Sequence, residues 1–176
     1  MSLDDLFYKD PEFNSEEFIG RANLMIKKIL NAITLNELDK VRHFMSDELY
    51  QKLQTEIDQN IRDGKRQIYE EINVNCQLAG GREEDEYYIV NVTCLCKYIK
   101  YKISLSSGKT IEGMDDERVS VSHRIVFERK KGTVRGEVAR CLGCGVTLNI
   151  NDNGTCPNCG RVYDLNEFDY VIRSID

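Results

Sequence analysis

The 176-residue sequence predicts an α+β protein in which three N-terminal helices pack on an antiparallel sheet, with a compact insertion before the last strand. Three observations predict it. Apolar residues recur at helical spacing as far as Ile61, then switch to strict alternation from Arg66 onward. Two CxxCG units stand between the last two strand-like runs. Helices first and hairpin-linked strands afterwards place the helices on one face of the sheet.

The first helix is expected over Ser15 to Ile33. Asn14-Ser15-Glu16-Glu17 supplies a cap and acids for its first turn, and Phe18, Ala22, Met25, Ile26, Ile29 and Ile33 share one face. A turn at Thr34 to Asn36 leads to a short helix carrying Leu38, Val41 and Met45. Ser46 then caps a longer helix with Leu49, Leu53, Ile57 and Ile61, ending near Gly64.

The first strand alternates Ile68, Glu70, Ile72, Val74, Cys76 and Leu78 on one face against Gln67, Tyr69, Glu71, Asn73, Asn75 and Gln77 on the other. The polar run Gly80 to Glu86 reads as a hairpin loop. The second strand places Tyr88, Val90, Val92, Cys94, Cys96 and Tyr98 on one side. Ser106 to Glu117 reads as a loop or ragged hairpin, and Val119, Val121, His123, Ile125 and Phe127 alternate along a third strand. A basic turn, Arg129 to Gly132, leads through Val134 to Val138 into the insertion, and Phe168 to Ile175 is the final strand. The expected boundaries are 1–138 for the main domain, 139–164 for the insertion and 165–176 for the strand that returns to the main domain.

The insertion carries the clearest chemistry. Cys141, Cys144, Cys156 and Cys159 form Cys141-Leu-Gly-Cys-Gly145 and Cys156-Pro-Asn-Cys-Gly160, with eleven residues between Cys144 and Cys156. A two-residue gap lets two sulfurs of one tight turn reach the same ion, so the four cysteines read as ligands of one structural zinc per chain, a zinc ribbon. All four positions are filled by protein, which leaves no open site for catalysis. The competing readings are weaker. Seven cysteines are an odd number for a disulfide framework, no basic-then-apolar leader opens the chain, and neither motif begins a helix in a βαβ unit as a redox pair does. Iron is the second choice of metal, since rubredoxin knuckles look similar but have a longer spacing.

The formal charge of −6 disfavours nonspecific binding to nucleic acid or anionic lipid. No apolar stretch is long enough to span a bilayer, and a reducing cytoplasmic compartment fits the free thiols. The opening Met1-Ser2-Leu3 leaves open whether an upstream segment precedes the chain.

Outside the insertion the chain resembles the TIM-forty-four-like (Tim44-like) domain family, which is named for a mitochondrial import-motor scaffold and occurs in many bacterial proteins. The resemblance rests on Phe18 and Ile26, Asn36-Glu-Leu-Asp39, Met45-Ser-Asp-Glu-Leu-Tyr50, Gly108-Lys-Thr-Ile-Glu-Gly113, Ile125-Val-Phe-Glu-Arg129, and Tyr170, Ile172 and Ile175. It covers roughly Phe13 to Lys131 and the final ten residues. It implies a cone of the nuclear-transport-factor-two-like, or cystatin-like, type, with a strongly bent sheet around the first helix and a concave pocket. It also implies a scaffolding or membrane-associated binding role without a shared catalytic site. Two departures stand out: Tyr170 occupies a place where the family often has Trp, and the short acidic leader is a poor basic amphipathic membrane helix.

Other site candidates have bland alternatives. His123 would look into the cone, as a general base or as a core histidine with one hydrogen bond, and His43 reads as structural. Asp115 to Glu117 and Glu83 to Glu86 read as solvated loop acids. Cys76, Cys94 and Cys96 form either a second metal or redox cluster or a set of small apolar residues. Lys97, Lys100, Lys102 and Lys109, with Tyr98 and Tyr101, form a basic and aromatic stretch that reads as a solvated strand end.

The first functional reading is a non-enzymatic binding or scaffold protein that offers a cone pocket and a ribbon surface to a protein partner, with membrane association through that partner or an upstream segment. The alternatives are an enzyme of the ketosteroid-isomerase-like type using His123, and nucleic-acid binding through the ribbon.

Overall fold

A computed structural model describes residues 5, 9, 10, 13–132, 140, 141, 143–148, 154–162 and 169–176. Among these, helix α1 spans Ser15–Leu35, a 3-10 helix spans Leu38–Phe44 and helix α2 spans Asp47–Arg62. The sheet strands are β1 (Lys65–Glu84), β2 (Tyr87–Ser104), β3 (Thr110–Lys130) and β4 (Val171–Ile175), in spatial order β1-β2-β3-β4 with every neighbour antiparallel. The α+β class and the three-helix, sheet-last order follow the sequence pattern.

α1 begins where Asn14 Oδ1 accepts the N–H groups of Glu16 and Glu17 at 3.0 and 3.1 Å. It ends at Asn36, whose φ of 55° supplies the left-handed cap. Its buried face, Phe18, Ala22, Met25, Ile26, Ile29 and Ala32, packs on the sheet. The short helix is 3-10, and Met45 lies outside it, in a parallel bridge to Ile172. Ser46 caps α2 by accepting the N–H of Leu49 at 3.3 Å. Leu49 and Ile57 are the fully buried residues of α2, so this helix lies half over the sheet.

Two expectations about the sheet need correction. First, Gly80 to Glu86 is not a loop. β1 runs to Glu84 and turns only at Asp85-Glu86, because Arg82, Glu83 and Glu84 find register partners in Ile89, Tyr88 and Tyr87. Secondly, β1 does not keep one face. Glu71 sits at φ 49° in a bulge between the pairs Glu70↔Ile99 and Asn73↔Lys97. An extra residue reverses the alternation, so Tyr69 joins the inner side with Ile72, Val74 and Leu78. Of the two readings of Ser106 to Glu117, the ragged hairpin holds: the turn covers Leu105 to Lys109, and β3 starts at Thr110 with an irregular register.

β3 has its own irregularity. Gly113 pairs with Tyr101 and Arg118 with Ile99, so Met114 to Glu117 stand opposite Lys100 alone. The two irregularities flank the same part of β2, and Arg118 Nη2 crosses to the Glu71 carbonyl at 2.8 Å. Bulges bend strands, so the sheet turns along this line. Gly113 makes the bend possible: at φ 77° a β-carbon there would stand 2.7 Å from the Lys100 carbonyl oxygen.

An aromatic cluster of Phe13, Phe18, Phe127 and Tyr170, with ring centroids 5.0 to 5.9 Å apart, closes one end of the core. Beside it the buried pair Arg129–Asp10, at 3.0 Å, and the hydrogen bond from Tyr170 Oη to Asp10 at 3.1 Å pin the leader to the sheet. β4 is observed from Val171, and Phe168 and the expected stretch Val134 to Val138 lie outside the described residues. No helix among the described residues is long and apolar enough to cross a membrane.

Candidate metal centre and cone cavity

The two CxxCG units fold as matching knuckles. In the first, the Cys141 N–H donates to the Val146 carbonyl at 2.8 Å and the Gly145 N–H to the Cys141 carbonyl at 2.9 Å. In the second, Cys156 bonds Arg161 at 2.8 Å and Gly160 bonds Cys156 at 3.0 Å. Gly145 and Gly160 both sit at φ 77°, the left-handed conformation that lets each turn close on its cysteines. Short bridges, Arg140↔Thr147 and Thr155↔Val162, hold the bases of the two knuckles.

This geometry gathers the Sγ atoms of Cys141, Cys144, Cys156 and Cys159 within 4.8 Å of one another. Sulfur pairs lie at 3.5 Å (Cys141 and Cys159) and 3.6 Å (Cys144 and Cys156). Four thiolates at about 2.3 Å around a tetrahedral ion would be separated by about 3.8 Å, so the set fits one metal ion. Cys141 and Cys156 are buried with Leu148, whereas Cys144 and Cys159 face solvent.

The electrostatics of the cluster also suit a cation. The backbone N–H of Cys144 holds the Cys141 thiol below its ordinary value, and the Asn158 side chain with the Val146 N–H lowers Cys144 to about 6. The Arg161 N–H favours the thiolate of Cys159, yet the neighbouring sulfurs, Cys141 first, push that thiol up to about 11. Four anions this close oppose one another's ionisation, and a dication removes the conflict. Asn158 was not among the residues singled out in the sequence. Its place between the two ligands of the second CxxC is the signal that could have found it.

The knuckles are not detached from the main domain. Gly154, buried and at φ 78°, lies against the ring of His43 in the 3-10 helix. His43 is therefore structural, as the sequence suggests, and part of the surface on which the ribbon rests.

A second feature is a cavity of about 810 Å³ between the helices and the bent half of the sheet. Its apolar wall comes from Ile26, Ile29 and Ile33 of α1, Leu53 and Ile57 of α2, and Tyr69, Tyr98 and Ile125 of the sheet. His123 lines it as expected. Its Nε2 lies 3.4 Å from Tyr98 Oη and its Nδ1 3.3 Å from the Asp176 carbonyl. Burial raises the Tyr98 phenol. Glu56 and Glu112 also line the cavity, and Glu112 is held by Lys65 at 2.6 Å and Lys102 at 3.3 Å. His123 thus meets a phenol and a main-chain oxygen of Asp176, and among the described residues no Asp or Glu side chain hydrogen-bonds it.

Cys76, Cys94 and Cys96 do come together. Cys76 and Cys94 are direct partners across β1 and β2, Cys94 and Cys96 share one face of β2, and all three are buried. The neighbouring Cys76 thiol leads the rise of Cys94 to about 12, and the neighbouring Cys94 thiol with burial raises Cys96. These are thiols packed as small residues in an apolar core. Among the described residues, the ribbon cysteines alone bring three or more metal-binding side chains close enough to share an ion.

The acid clusters expected as solvated loops are partly engaged. Glu83 and Glu84 lie in β1. Glu83 is held by Lys131 at 2.5 Å and by Lys9, and Glu84 by Arg173 at 2.6 Å and Arg82 at 2.8 Å. Asp115 accepts from Thr110 Oγ1 at 2.6 Å. Of the basic stretch, Lys97 is exposed, Lys100 stands 5.8 Å over the Tyr69 ring and Lys102 pairs with Glu112.

No curated protein matches the sequence. The family model described as Tim44-like domain matches residues 2–137, the three helices and the first three strands, and stops before the four cysteines. The chain therefore belongs to the Tim44-like domain family.

Proposed function

We propose that the protein is a non-enzymatic binding scaffold whose cone (1–138 and 165–176) and zinc ribbon (139–164) together form a surface for a protein partner. The observation that carries this reading is the closed ligand set. Four cysteine sulfurs within 4.8 Å fill a tetrahedral ion's coordination, so the metal stabilises a shape and has no open position for a substrate. Four thiolates on two tight turns favour zinc, one ion per chain, bound by Cys141, Cys144, Cys156 and Cys159. The cavity adds an apolar concavity of ligand size in which no Asp or Glu side chain among the described residues hydrogen-bonds His123. Free thiols in the core and in the ribbon support a reducing cytoplasm as the compartment of this reading, with membrane association arising through a partner.

Affinity capture from native lysate, comparing the intact chain with one whose residues 139–164 are replaced by a short turn, tests the reading. A partner retained by the intact chain and lost or weakened without the ribbon is the expected result. Equal capture of nothing specific by both proteins, or turnover of a small molecule that His123→Ala abolishes, would sink it.

A further inference from the structure

The four ribbon sulfurs are of two kinds. Cys141 and Cys156 are buried, whereas Cys144 and Cys159 are exposed. Two sulfur contacts of hydrogen-bonding geometry join them, Cys141 to Cys159 at 3.5 Å and Cys144 to Cys156 at 3.6 Å. Each contact couples an exposed sulfur to a buried one, and each crosses from one knuckle to the other. A disulfide bond is about 2.05 Å long, so either pair closes when its sulfurs approach by about 1.5 Å. Inside the first knuckle the Cys141 sulfur is taken up by its own turn, where it accepts the Gly143 N–H at 3.4 Å.

We propose that Cys144 with Cys156, and Cys159 with Cys141, are sites of reversible oxidation by a peroxide, which replaces the metal by two cross-knuckle disulfides. This second state of the site presupposes the four cysteines as metal ligands in the first. The exposed sulfur of each pair is the one that a peroxide reaches. The Cys144 thiolate attacks one peroxide oxygen, the O–O bond breaks, and the departing oxygen takes a proton and leaves as water. The Cys156 thiolate then attacks the sulfenic sulfur of Cys144. The S–S bond forms, the S–O bond breaks, and the hydroxide released is protonated to a second water. Two electrons pass from the sulfur pair to the peroxide. Cys159 and Cys141 repeat both steps with a second peroxide, and the metal, left without thiolates, departs as a dication. A dithiol reductant reverses the sulfur chemistry by exchange.

Bridges across the knuckles preserve what the ion preserves. The two are nested in sequence, and Gly154, which lies against His43, falls inside both loops. The oxidised ribbon therefore stays seated on the 3-10 helix. Its charge differs: four thiolates around a dication carry about −2, and two disulfides are neutral. A partner that reads the ribbon by charge then meets a different surface of the same shape. Cys76, Cys94 and Cys96 are buried in the core of the cone and take no part.

Hydrogen peroxide added to the metal-loaded full chain tests this. Release of about one ion per chain to a colorimetric chelator is expected. The thiols alkylated after unfolding should fall from the seven of the reduced chain to the three of the core. Asp-directed cleavage without reduction, which cuts between the knuckles before Asp152, should leave them joined, and dithiothreitol should part them and restore all seven thiols. Bridges within a knuckle would let the pieces part at the same thiol count, and sulfinic or sulfonic acids would leave nothing to restore. Either result overturns the proposal, as does a thiol count that stays at seven. Metal analysis before treatment separates the two readings of the site. Metal present beforehand without cross-knuckle bridges afterwards overturns the oxidation alone, whereas such bridges in a chain that never held metal overturn the metal reading alone.

Discussion

Gly154 approaches the ring of His43 so closely that a β-carbon on it would stand 2.8 Å from Nδ1. The backbone at φ 78° adds strain for any other residue. Gly154→Ala is therefore expected to lift the second knuckle from the 3-10 helix without removing a metal ligand. Hydrogen exchange should rise across Leu38 to Phe44 while metal content is unchanged, and unaltered exchange there would contradict the contact.

Metal analysis is expected to find about one ion per chain in the wild type and to find it lost in Cys144→Ser, which removes one of the four sulfurs. The ribbon should then become sensitive to protease, while the cone keeps its cooperative unfolding because its aromatic and aliphatic core is separate from the Cys141, Leu148 and Cys156 cluster. Loss of the whole fold in this variant would show that the cone depends on the metal.

Glu83 carries the clearest pH signature outside the ribbon. Hydrogen bonds from Lys131 and then Lys9 lower its carboxyl to about 2. A carboxyl depressed in the folded state contributes stability above its unfolded value, roughly 4.3, and that contribution is lost as pH falls through about 2. The acid limb of a melting-temperature profile should be shallower in Glu83→Gln between those values. Identical profiles would show that these exposed pairs add nothing.

Gly113→Ala puts a methyl group 2.7 Å from the Lys100 carbonyl at a positive φ. We expect a loss of about 2 kcal/mol or more, read by urea unfolding, because backbone on both strands must move. The same substitution at Gly132, where φ is also positive but no atom lies within 4 Å of the added carbon, should cost less.

Cys76, Cys94 and Cys96 should resist a thiol reagent in the native protein at pH 8. All three are buried, and Cys94, at about 12, has almost no thiolate at that pH. Three additional thiols should react on unfolding. Rapid modification of the native core thiols would revive a redox role for them.

Much of this architecture was legible in residue order, and the reason differs by element. The helices announce themselves through Asn14 and Ser46 as caps and through a 3.6-residue period that survives without knowledge of the partner surface. β2 was read correctly because its inner residues, from Val90 to Tyr98, alternate without interruption. β1 was misread at Glu71 because no glycine or proline marks its bulge, which is held from another strand by Arg118. The pair Gly80-Gly81 imitates a turn, and only cross-strand partners keep it in the ladder. The cysteine cluster was visible because chelation by CxxC is a local property of spacing. The contact of Gly154 with His43 and the clasp of Asp10 with Arg129 and Tyr170 join residues far apart in sequence, where no periodicity carries information.

The ribbon occupies the connection between β3 and β4, whose ladder sets Phe127 against Ile172. An ion joining Cys141 to Cys159 shortens that connection, but closure entropy grows only with the logarithm of length, so the gain for joining the two strands is about 0.5 kcal/mol. The seam is governed instead by Ser46, which bonds Ile172 and Arg173, and by the buried side chains of Val171 and Ile172. The hairpin tip therefore behaves as a socket: β4 finds its place with little regard for what is carried between its ends. Modules of other sizes can be exchanged there while the sheet keeps its register.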